Sequence, residues 1–173
     1  MGKMNILEEL GLKYGTDKIG KHNYLPVYYD MFKDRRNEVK KVLEIGVGEG
    51  AGLRMFRDFF PNATIYGAEI DERRIFKEDR IEVLNFDQAS VKDIYNSIDL
   101  LSDMDLVIDD GSHNPLDQIF TCYGIMPFLK KDATYIIEDV ADTDIIGILA
   151  NKYYVDVKEV GKRYDDRMII IKK

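Results

Sequence analysis

The segment LVIDDGSH at residues 106–113 joins a strand-like apolar run to two acids and one of the two histidines of the chain. A second apolar run, 134–138, ends in Glu138 and is followed directly by Asp139. If these runs are neighbouring parallel strands, their ends lie about 5 Å apart and bring four carboxylates into one corner. Such like charges favour a bound cation. Because the donors are carboxylates, Mg²⁺ is our first choice, ahead of Mn²⁺ and Ca²⁺.

The two acids of the first run have different predicted roles. Adjacent strand residues point to opposite faces, so we assign Asp110 to the metal and give Asp109 a supporting position. His113 lies three residues beyond Asp110 in a Gly-Ser turn, where a neutral imidazole can accept a proton from a substrate hydroxyl. It is our candidate general base. The alternatives are that His113 is a surface or capping residue and that Asp139 caps a following helix.

A glycine-rich turn, residues 46–50, follows an apolar strand and precedes a helical pattern. Glycines there allow a nucleotide to approach the backbone closely. The spacing of Gly46, Gly48 and Ala51 also fits a dinucleotide fingerprint, so it does not choose between cofactors. Glu44, just before the turn, suits a cationic or amine-bearing ligand better than a pyrophosphate.

Further polar residues follow the next two predicted strands. Glu69 ends one of them, where a carboxylate can accept both hydroxyls of a ribose, and Asp71 is its rival. Asp87 and Gln88 follow the other and could meet the edge of an adenine. Asp87 could instead cap a helix over 90–98.

Alternating apolar patterns predict the elements that position these residues. Strands are predicted at 41–45, 64–68, 81–85, 104–108 and 134–138, and helices at 52–60, 71–77, 90–98, 116–130 and 143–152. Strand alternating with helix predicts an α/β, doubly wound Rossmann-like sheet that is mostly parallel. The last two apolar runs, 154–160 and 166–173, predict an antiparallel pair at one edge. We expect one domain over residues 1–173, with a helical leader or lid (1–38) ahead of the core (39–173).

The composition favours a small ligand over a nucleic acid. A net charge of −7 argues against binding to a phosphate backbone, which requires clustered Lys and Arg. Cys122 is the single cysteine, so an internal disulfide is excluded. The sequence has no signal-like start and no apolar run long enough for a membrane span, so we expect a cytoplasmic protein without a membrane partner. The oligomeric state stays open, with a homodimer as one option.

Several segments resemble the metal-dependent class I S-adenosylmethionine O-methyltransferases that act on sugar hydroxyls, as in macrolide tailoring. They are the leader segment KYGTDKIGKHNYLPVYYDMF (13–32), VLEIGVGEGAGLRMFRDFFPNATIYGAEID (42–71), FDQ (86–88), VIDDGSH (107–113) and YIIED (135–139). The resemblance implies S-adenosylmethionine and Mg²⁺ as cofactors and a sugar or diol as the acceptor. The stretch after the fifth strand is short and the large extra domain of the macrolide enzymes is missing, so we expect a sugar or glycosylated small molecule rather than specifically a macrolide.

The resemblance also implies roles for individual residues. The implied Mg²⁺ ligands are Asp110, Glu138 and Asp139, and the implied general base is His113. The residues assigned to the S-adenosylmethionine site are Thr16, Glu44, Gly46, Gly48, Glu69, Asp87, Gln88 and Asp109. Thr16, Asp17 and Lys18 match a family motif expected to make lid or cofactor contacts, or else to form a capping turn, while His22 and Tyr24 are expected to be packing or lid residues.

Three other functions are kept as alternatives. A catechol or phenol O-methyltransferase would use the same metal and base. An NAD(P)-dependent dehydrogenase would use the same glycine turn, but the Tyr-x-x-x-Lys pattern from Tyr14 to Lys18 precedes that turn instead of following it. A non-catalytic nucleotide-binding subunit would need neither His113 nor the acid pairs.

Overall fold

An eight-stranded sheet forms the centre of the computed structural model, which describes residues 4–173. The strands are β1 (Lys41–Ile45), β2 (Thr64–Glu69), β3 (Lys77–Glu78), β4 (Ile81–Asn85), β5 (Leu106–Asp109), β6 (Thr134–Ile137), β7 (Tyr154–Glu159) and β8 (Arg167–Lys172). The helices are α1 (Ile6–Tyr14), α2 (Leu25–Phe32), α3 (Ala51–Phe59), α4 (Val91–Asn96), α5 (Ile98–Leu101), α6 (Pro115–Ile125) and α7 (Asp144–Ala150). None of the helices in residues 4–173 has the length and apolar character that a membrane crossing requires.

The strands lie in the order β3-β4-β2-β1-β5-β6-β8-β7. The five central strands are parallel, whereas β3, β8 and β7 are antiparallel to their neighbours. The predicted doubly wound, mostly parallel sheet is therefore confirmed, and so is the antiparallel pair at one edge. Because the central strands are parallel, their carboxyl ends and the loops that follow lie along one edge of the sheet.

Each central strand contributes alternate side chains to the two faces of the sheet. On one face, Val42, Ile108 and Ile136 pack with α1, α2 and α3. On the other, residues of opposite parity, such as Val107 and Ile137, pack with α4 to α7. This period of two also fixes the face of each polar residue that follows the strands.

The predicted helix over 71–77 is wrong. Only residues Glu72–Arg74 are helical, as a single 3-10 turn that starts where the Asp71 side chain accepts a hydrogen bond from the Arg73 N–H. The segment then becomes strand β3, which pairs with β4. The reason is that residues 71–77 contain two apolar side chains, Ile75 and Phe76, which are adjacent and cannot form one face of a helix.

Two other predicted helices are shorter or divided. The pattern over 90–98 forms α4, which Ser90 caps, and α5 then begins after Ser97. The pattern over 116–130 forms α6, which begins at Pro115 and ends at Ile125, shortly before Pro127. Proline lacks an amide hydrogen, so Pro127 cannot continue the helical hydrogen bonds and the helix stops before it.

The leader packs into the core of the protein. Asn5 and Glu8 form a capping box at the start of α1, and Gly15 ends this helix with φ +71°. Leu7, Tyr28 and Phe32 are fully buried in the same cluster as α3 and β1. Helices α1 and α2 of the leader therefore cover part of one face of the sheet.

Candidate active site

A cavity of about 650 Å³ opens at the carboxyl edge of the central strands. A cavity of this size accommodates a nucleotide-sized ligand. Of the residues assigned from the sequence, those that line it are Thr16, Glu44, Gly46, Gly48, Glu69, Asp87, Gln88, Asp110, His113 and Asp139. Asp109 and Glu138 are not among the lining residues.

The glycine turn after β1 is held in place from two sides. A Cβ atom on Gly46 would lie 2.1 Å from the carbonyl oxygen of Asp110, so only glycine fits between the two loops. Gly46 also has φ +83°, in the region that favours glycine. From the other side, Glu69 accepts a hydrogen bond from the Val47 N–H at 3.1 Å and one from the Asp71 N–H at 3.0 Å. Glu69 therefore braces the turn, and each of its oxygens keeps lone-pair capacity for a ligand hydroxyl.

Asp110, His113 and Asp139 form a cluster that can hold a metal ion. Each offers one ligand atom, and these atoms lie within 4.8 Å of one another. Nε2 of His113 lies 3.6 Å from Oδ2 of Asp139. The side chains of Asp110 and His113 are 21% and 44% exposed, so an ion can reach them from the cavity. Two carboxylates and an imidazole fit a divalent cation such as Mg²⁺ or Mn²⁺.

Glu138 lies outside this cluster, unlike the expectation from the sequence. Its Oε1 accepts a hydrogen bond from the Tyr28 hydroxyl and its Oε2 one from Lys18, both at 2.5 Å. Burial raises the pKa of Glu138, and the Lys18 ammonium opposes this shift. As a metal ligand, Glu138 stays a prediction that requires these two contacts to change.

Lys18 is a buried cation in the wall of the cavity. Its Nζ lies 2.7 Å from Asp110 Oδ2, 2.5 Å from Glu138 Oε2 and 3.1 Å from Glu44 Oε1. Burial alone would lower the pKa of Lys18, but the three carboxylates outweigh this and raise it well above its usual value. Glu44, which was expected to face a cationic ligand, thus has a cation of the protein itself as its partner, and burial raises its pKa to about 7.

Two aromatic residues of the leader, Tyr24 and His22, contact Asp139. The Tyr24 hydroxyl donates to Asp139 Oδ1 at 2.5 Å and accepts a hydrogen bond from the Asp139 N–H at 3.2 Å. His22 stacks on the Tyr24 ring, and its Nδ1 lies 2.9 Å from Asp166 and 3.4 Å from Asp139. Tyr24 and His22 thus do more than pack, because they fix the orientation of a cluster carboxylate.

Gln88 and Asp109 form an internal brace behind the DDGSH loop. The Gln88 amide nitrogen donates to Asp109 Oδ1 and to Thr121, both at 3.1 Å, while its Oε1 accepts from the Ser112 N–H at 2.7 Å. Tyr135 also donates to Asp109, whose pKa burial raises to about 7. The amide of Gln88 is therefore engaged within the protein, which leaves its side chain little capacity to recognise an adenine.

Asp87 and Thr16 stay at the wall of the cavity. Oδ1 of Asp87 accepts a hydrogen bond from the Ala89 N–H, so it forms a local turn, and helix α4 is capped by Ser90 instead. The Thr16 hydroxyl accepts a long hydrogen bond of 3.4 Å from the Lys18 N–H. Both side chains border the cavity and remain candidates for ligand contact.

Sequence reasoning missed the roles of Lys18, Tyr24 and Tyr28, although strand parity contained a signal. Glu44 lies in β1, and Asp110 and Glu138 directly follow the neighbouring strands β5 and β6 at positions of the same parity. The period of two therefore places all three on the leader face. Buried carboxylates on one face require donors from whatever packs there, and the leader is rich in Lys and Tyr.

The chain is similar in sequence to O-methyltransferases of antibiotic biosynthesis. No family model matches it. It is 34% identical over 142 residues to mycinamicin VI 2''-O-methyltransferase of Micromonospora griseorubida, an alignment that covers 78% of this chain and 36% of that protein. It is 31% identical over 141 residues to an 8-demethyl-8-alpha-L-rhamnosyl tetracenomycin-C 2'-O-methyltransferase of Streptomyces olivaceus, covering 78% and 37%. The chain thus spans little more than a third of the length of these relatives.

The fold is similar to a solved structure of the same kind. The MycE methyltransferase from the mycinamycin biosynthetic pathway, in complex with Mg and SAH, superposes with a TM-score of 0.81 and 26% sequence identity. The superposition covers 98% of this chain and 55% of that one. The resemblance inferred from the sequence is therefore confirmed: over most of its length this chain is similar to the sugar O-methyltransferases of macrolide tailoring, and it has the Rossmann-like methyltransferase fold.

Proposed function

We propose that this chain is an S-adenosylmethionine- and Mg²⁺-dependent O-methyltransferase domain that acts on a hydroxyl of a sugar or of a glycosylated small molecule. One observation carries the proposal: the glycine turn and the Asp110–His113–Asp139 cluster line the same cavity. A methyl donor and an acceptor hydroxyl must meet in a single site, and this cavity borders the features needed for both.

The glycine turn and Glu69 form the donor side of the cavity. S-adenosylmethionine, when bound, supplies an electrophilic methyl group. Gly46 and Gly48 leave the backbone open to a ligand, and Glu69 is oriented by two backbone N–H groups to accept hydroxyl donors. The solved relative MycE is described with SAH, which supports the same ligand class here.

The metal cluster and His113 form the acceptor side. A divalent cation, when bound, lowers the pKa of a hydroxyl that it contacts. Asp110 and Asp139 would hold the cation, and Tyr24 would keep the Asp139 carboxylate oriented. Nε2 of His113 would take the proton of the acceptor hydroxyl, since its half-exposed ring faces the cavity. The relatives are named as methyltransferases of mycinamicin VI and of a rhamnosyl tetracenomycin, which supports a sugar hydroxyl as the acceptor.

The first test is calorimetric titration of SAH into the protein, followed by transfer from radiolabelled S-adenosylmethionine to a panel of rhamnosides, other glycosides and catechols. We expect SAH binding, and methyl transfer to a glycoside that stops when EDTA is added and resumes with Mg²⁺. Transfer only to catechols would move the acceptor to a phenol. Binding of SAH without transfer to any acceptor would favour a non-catalytic subunit, and binding of NADH in place of SAH would contradict the proposal.

A variant at His113 separates a general base from a metal ligand. Because loss of a positioned base typically costs 10²–10⁴-fold in rate, we expect His113→Ala to lower kcat by about that factor while the Kd for SAH stays within about twofold. The Kd for Mg²⁺ is measured on the same variant. An unchanged Mg²⁺ affinity supports the base, whereas a parallel loss of affinity would make His113 a metal ligand. The control is Lys92→Ala, an exposed change on α4.

A further inference from the structure

Lys18 contacts Glu138, the carboxylate that the sequence resemblance implies as a metal ligand. Its side chain is 3% exposed, and its ammonium has carboxylate oxygens of Asp110, Glu138 and Glu44 within 3.1 Å. The ammonium donates hydrogen bonds to Asp110 and Glu138, and Glu44 lies at ion-pair distance. Within residues 4–173, no other Lys or Arg side chain forms an ion pair with any of these three acids.

The contact of Lys18 with Asp110 links the metal-binding cluster to the buried acids Glu44 and Glu138. Asp110 belongs to the cluster that can hold a metal, and it also accepts a hydrogen bond from Lys18 at 2.7 Å. Glu138, which is 1% exposed, is closed off from the cavity by Lys18 on one oxygen and Tyr28 on the other. A cation on Asp110 would therefore lie near a second, built-in positive charge.

We propose that Lys18 is an internal counter-cation that competes with the divalent ion for Asp110 and Glu138, so that it sets the metal affinity of the site. Lys18 acts through these two acids and is a positioning residue. The proposal rests on the proposed function, because it takes the Asp110–His113–Asp139 cluster as a cation site. It gives the leader segment a role in metal binding in addition to its place in the core.

The proposal predicts that removing the ammonium strengthens cation binding. Repulsion between a unit charge and a double charge a few ångströms apart weakens the binding constant of the ion by about tenfold in water, and by more when the charges are partly buried. Lys18→Met keeps the length and apolar stem of the side chain. We expect it to lower the Kd for Mg²⁺ by about tenfold or more, because the repulsion is lost and Glu138 becomes free to join the site.

The measurement is calorimetric titration of Mg²⁺, and of Ca²⁺ as a second probe, into the protein without methyl donor. The matched control is Lys33→Met, which makes the same chemical change in the leader at a surface ion pair with Asp30. Thermal unfolding with and without Mg²⁺ gives a second readout. Lys18→Met should unfold at a lower temperature than the control in EDTA, because three acids lose their partner, and should gain more from Mg²⁺ than the wild type gains.

A second pair of variants keeps the test valid if Lys18→Met does not fold. Glu44→Gln removes one partner of Lys18 outside the metal cluster, and Lys18→Met/Glu44→Gln then buries one fewer unpaired charge. We expect the double variant to bind Mg²⁺ more tightly than Glu44→Gln alone.

Each outcome decides the proposal. Equal binding in the Lys18 variants would overturn it, and weaker binding would overturn it and mean that Lys18 orients Asp110 for the metal. If the wild type binds Mg²⁺ in that case, the proposed function is unaffected. Binding only in the Lys18 variants would support the proposal and contradict the Mg²⁺ dependence of the proposed function, and no binding in any variant would remove both.

Discussion

His113 and Asp139 have φ values of +56° and +51°, and with Arg80 they are the non-glycine residues with positive φ in the described part of the chain. Such conformations cost about 1–3 kcal/mol each and persist where the surroundings fix them. For Asp139, the Tyr24 hydroxyl supplies this constraint by bonding both the carboxylate and the backbone N–H. Strain in two of the three cluster residues is consistent with a site in which orientation is selected at the expense of stability.

Two glycines of the turn, Gly46 and Gly48, are expected to respond differently to substitution by alanine. Gly46→Ala would place a Cβ atom 2.1 Å from the Asp110 carbonyl oxygen, so the glycine turn and the DDGSH loop would have to separate. Gly48→Ala meets no atom within 4 Å and suffers only from its φ of +53°. We expect Gly48→Ala to cost about 1 kcal/mol in the free energy of unfolding and Gly46→Ala several times more.

Chemical denaturation and SAH titration test this pair of variants. Gly46→Ala should also weaken SAH binding by at least about tenfold, since the turn moves, whereas Gly48→Ala serves as the control for the positive φ in the unfolding measurement. Equal effects of the two substitutions on the free energy of unfolding would contradict the close approach of the loops.

Helix α1 contacts α3 through polar side chains at the surface as well as through apolar packing. Asp58 on α3 lies 2.9 Å from Lys13 Nζ and accepts a hydrogen bond of 2.5 Å from the Tyr14 hydroxyl. Partial burial would raise the pKa of Asp58, but its hydrogen bonds with Tyr14, Lys13 and Arg57 outweigh this and lower the pKa to about 2. The ionised form of Asp58 therefore stabilises the docking of the leader.

The sign of this pKa shift gives a pH dependence. Because the pKa of Asp58 is lower in the folded state than its ordinary value of 3.8, its contribution is complete above about pH 4 and is lost as the pH falls towards 2. With solvent screening taken into account, we expect Asp58→Asn to lower the free energy of unfolding by roughly 1–2 kcal/mol at pH 7.

Urea unfolding of the wild type and of Asp58→Asn between pH 2 and pH 7 checks this prediction. The difference between the two proteins should shrink below about pH 4 and vanish near pH 2. Asp30→Asn is the control, because Asp30 is 72% exposed and its ion pair with Lys33 should contribute little. A difference that stays constant with pH would mean that the charge of Asp58 has no part in the docking.

The elements also show where sequence reasoning succeeds and where it stops. The parallel strands were predictable because each is a short apolar run between polar turns, and the acids at their ends followed from the topology. Residues 71–77 were not, because a single 3-10 turn followed by a two-residue strand leaves no periodic signal. The partners of Glu138 were missed for another reason: Lys18 and Tyr28 are 120 and 110 residues away in sequence, and only the packing of the leader brings them together.

At the scale of the whole molecule, the leader shares its core with the sheet. Leu7, Tyr24, Leu25, Tyr28 and Phe32 are all at most 1% exposed and lie in one cluster with residues of β1, β5 and α3. Burial of a large apolar side chain contributes about 1.5–3 kcal/mol, so these five residues together contribute about 10 kcal/mol. That is comparable to the net stability of an entire domain. We therefore expect the leader and the sheet to unfold together.

The burial of the leader in the core predicts that the leader and the sheet unfold as one cooperative unit. If residues 1–38 and 39–173 form one domain, differential scanning calorimetry should show a single transition whose calorimetric and van't Hoff enthalpies agree. The Asp58→Asn variant should shift this one transition to lower temperature without splitting it, because the contact that it weakens belongs to the same cooperative unit. Two transitions, with only the lower one moved by Asp58→Asn, would make the leader a separate unit. The acids of the site would then lose Lys18, Tyr24 and Tyr28 whenever the leader opened, and the metal affinity of the protein would change with temperature below the main transition.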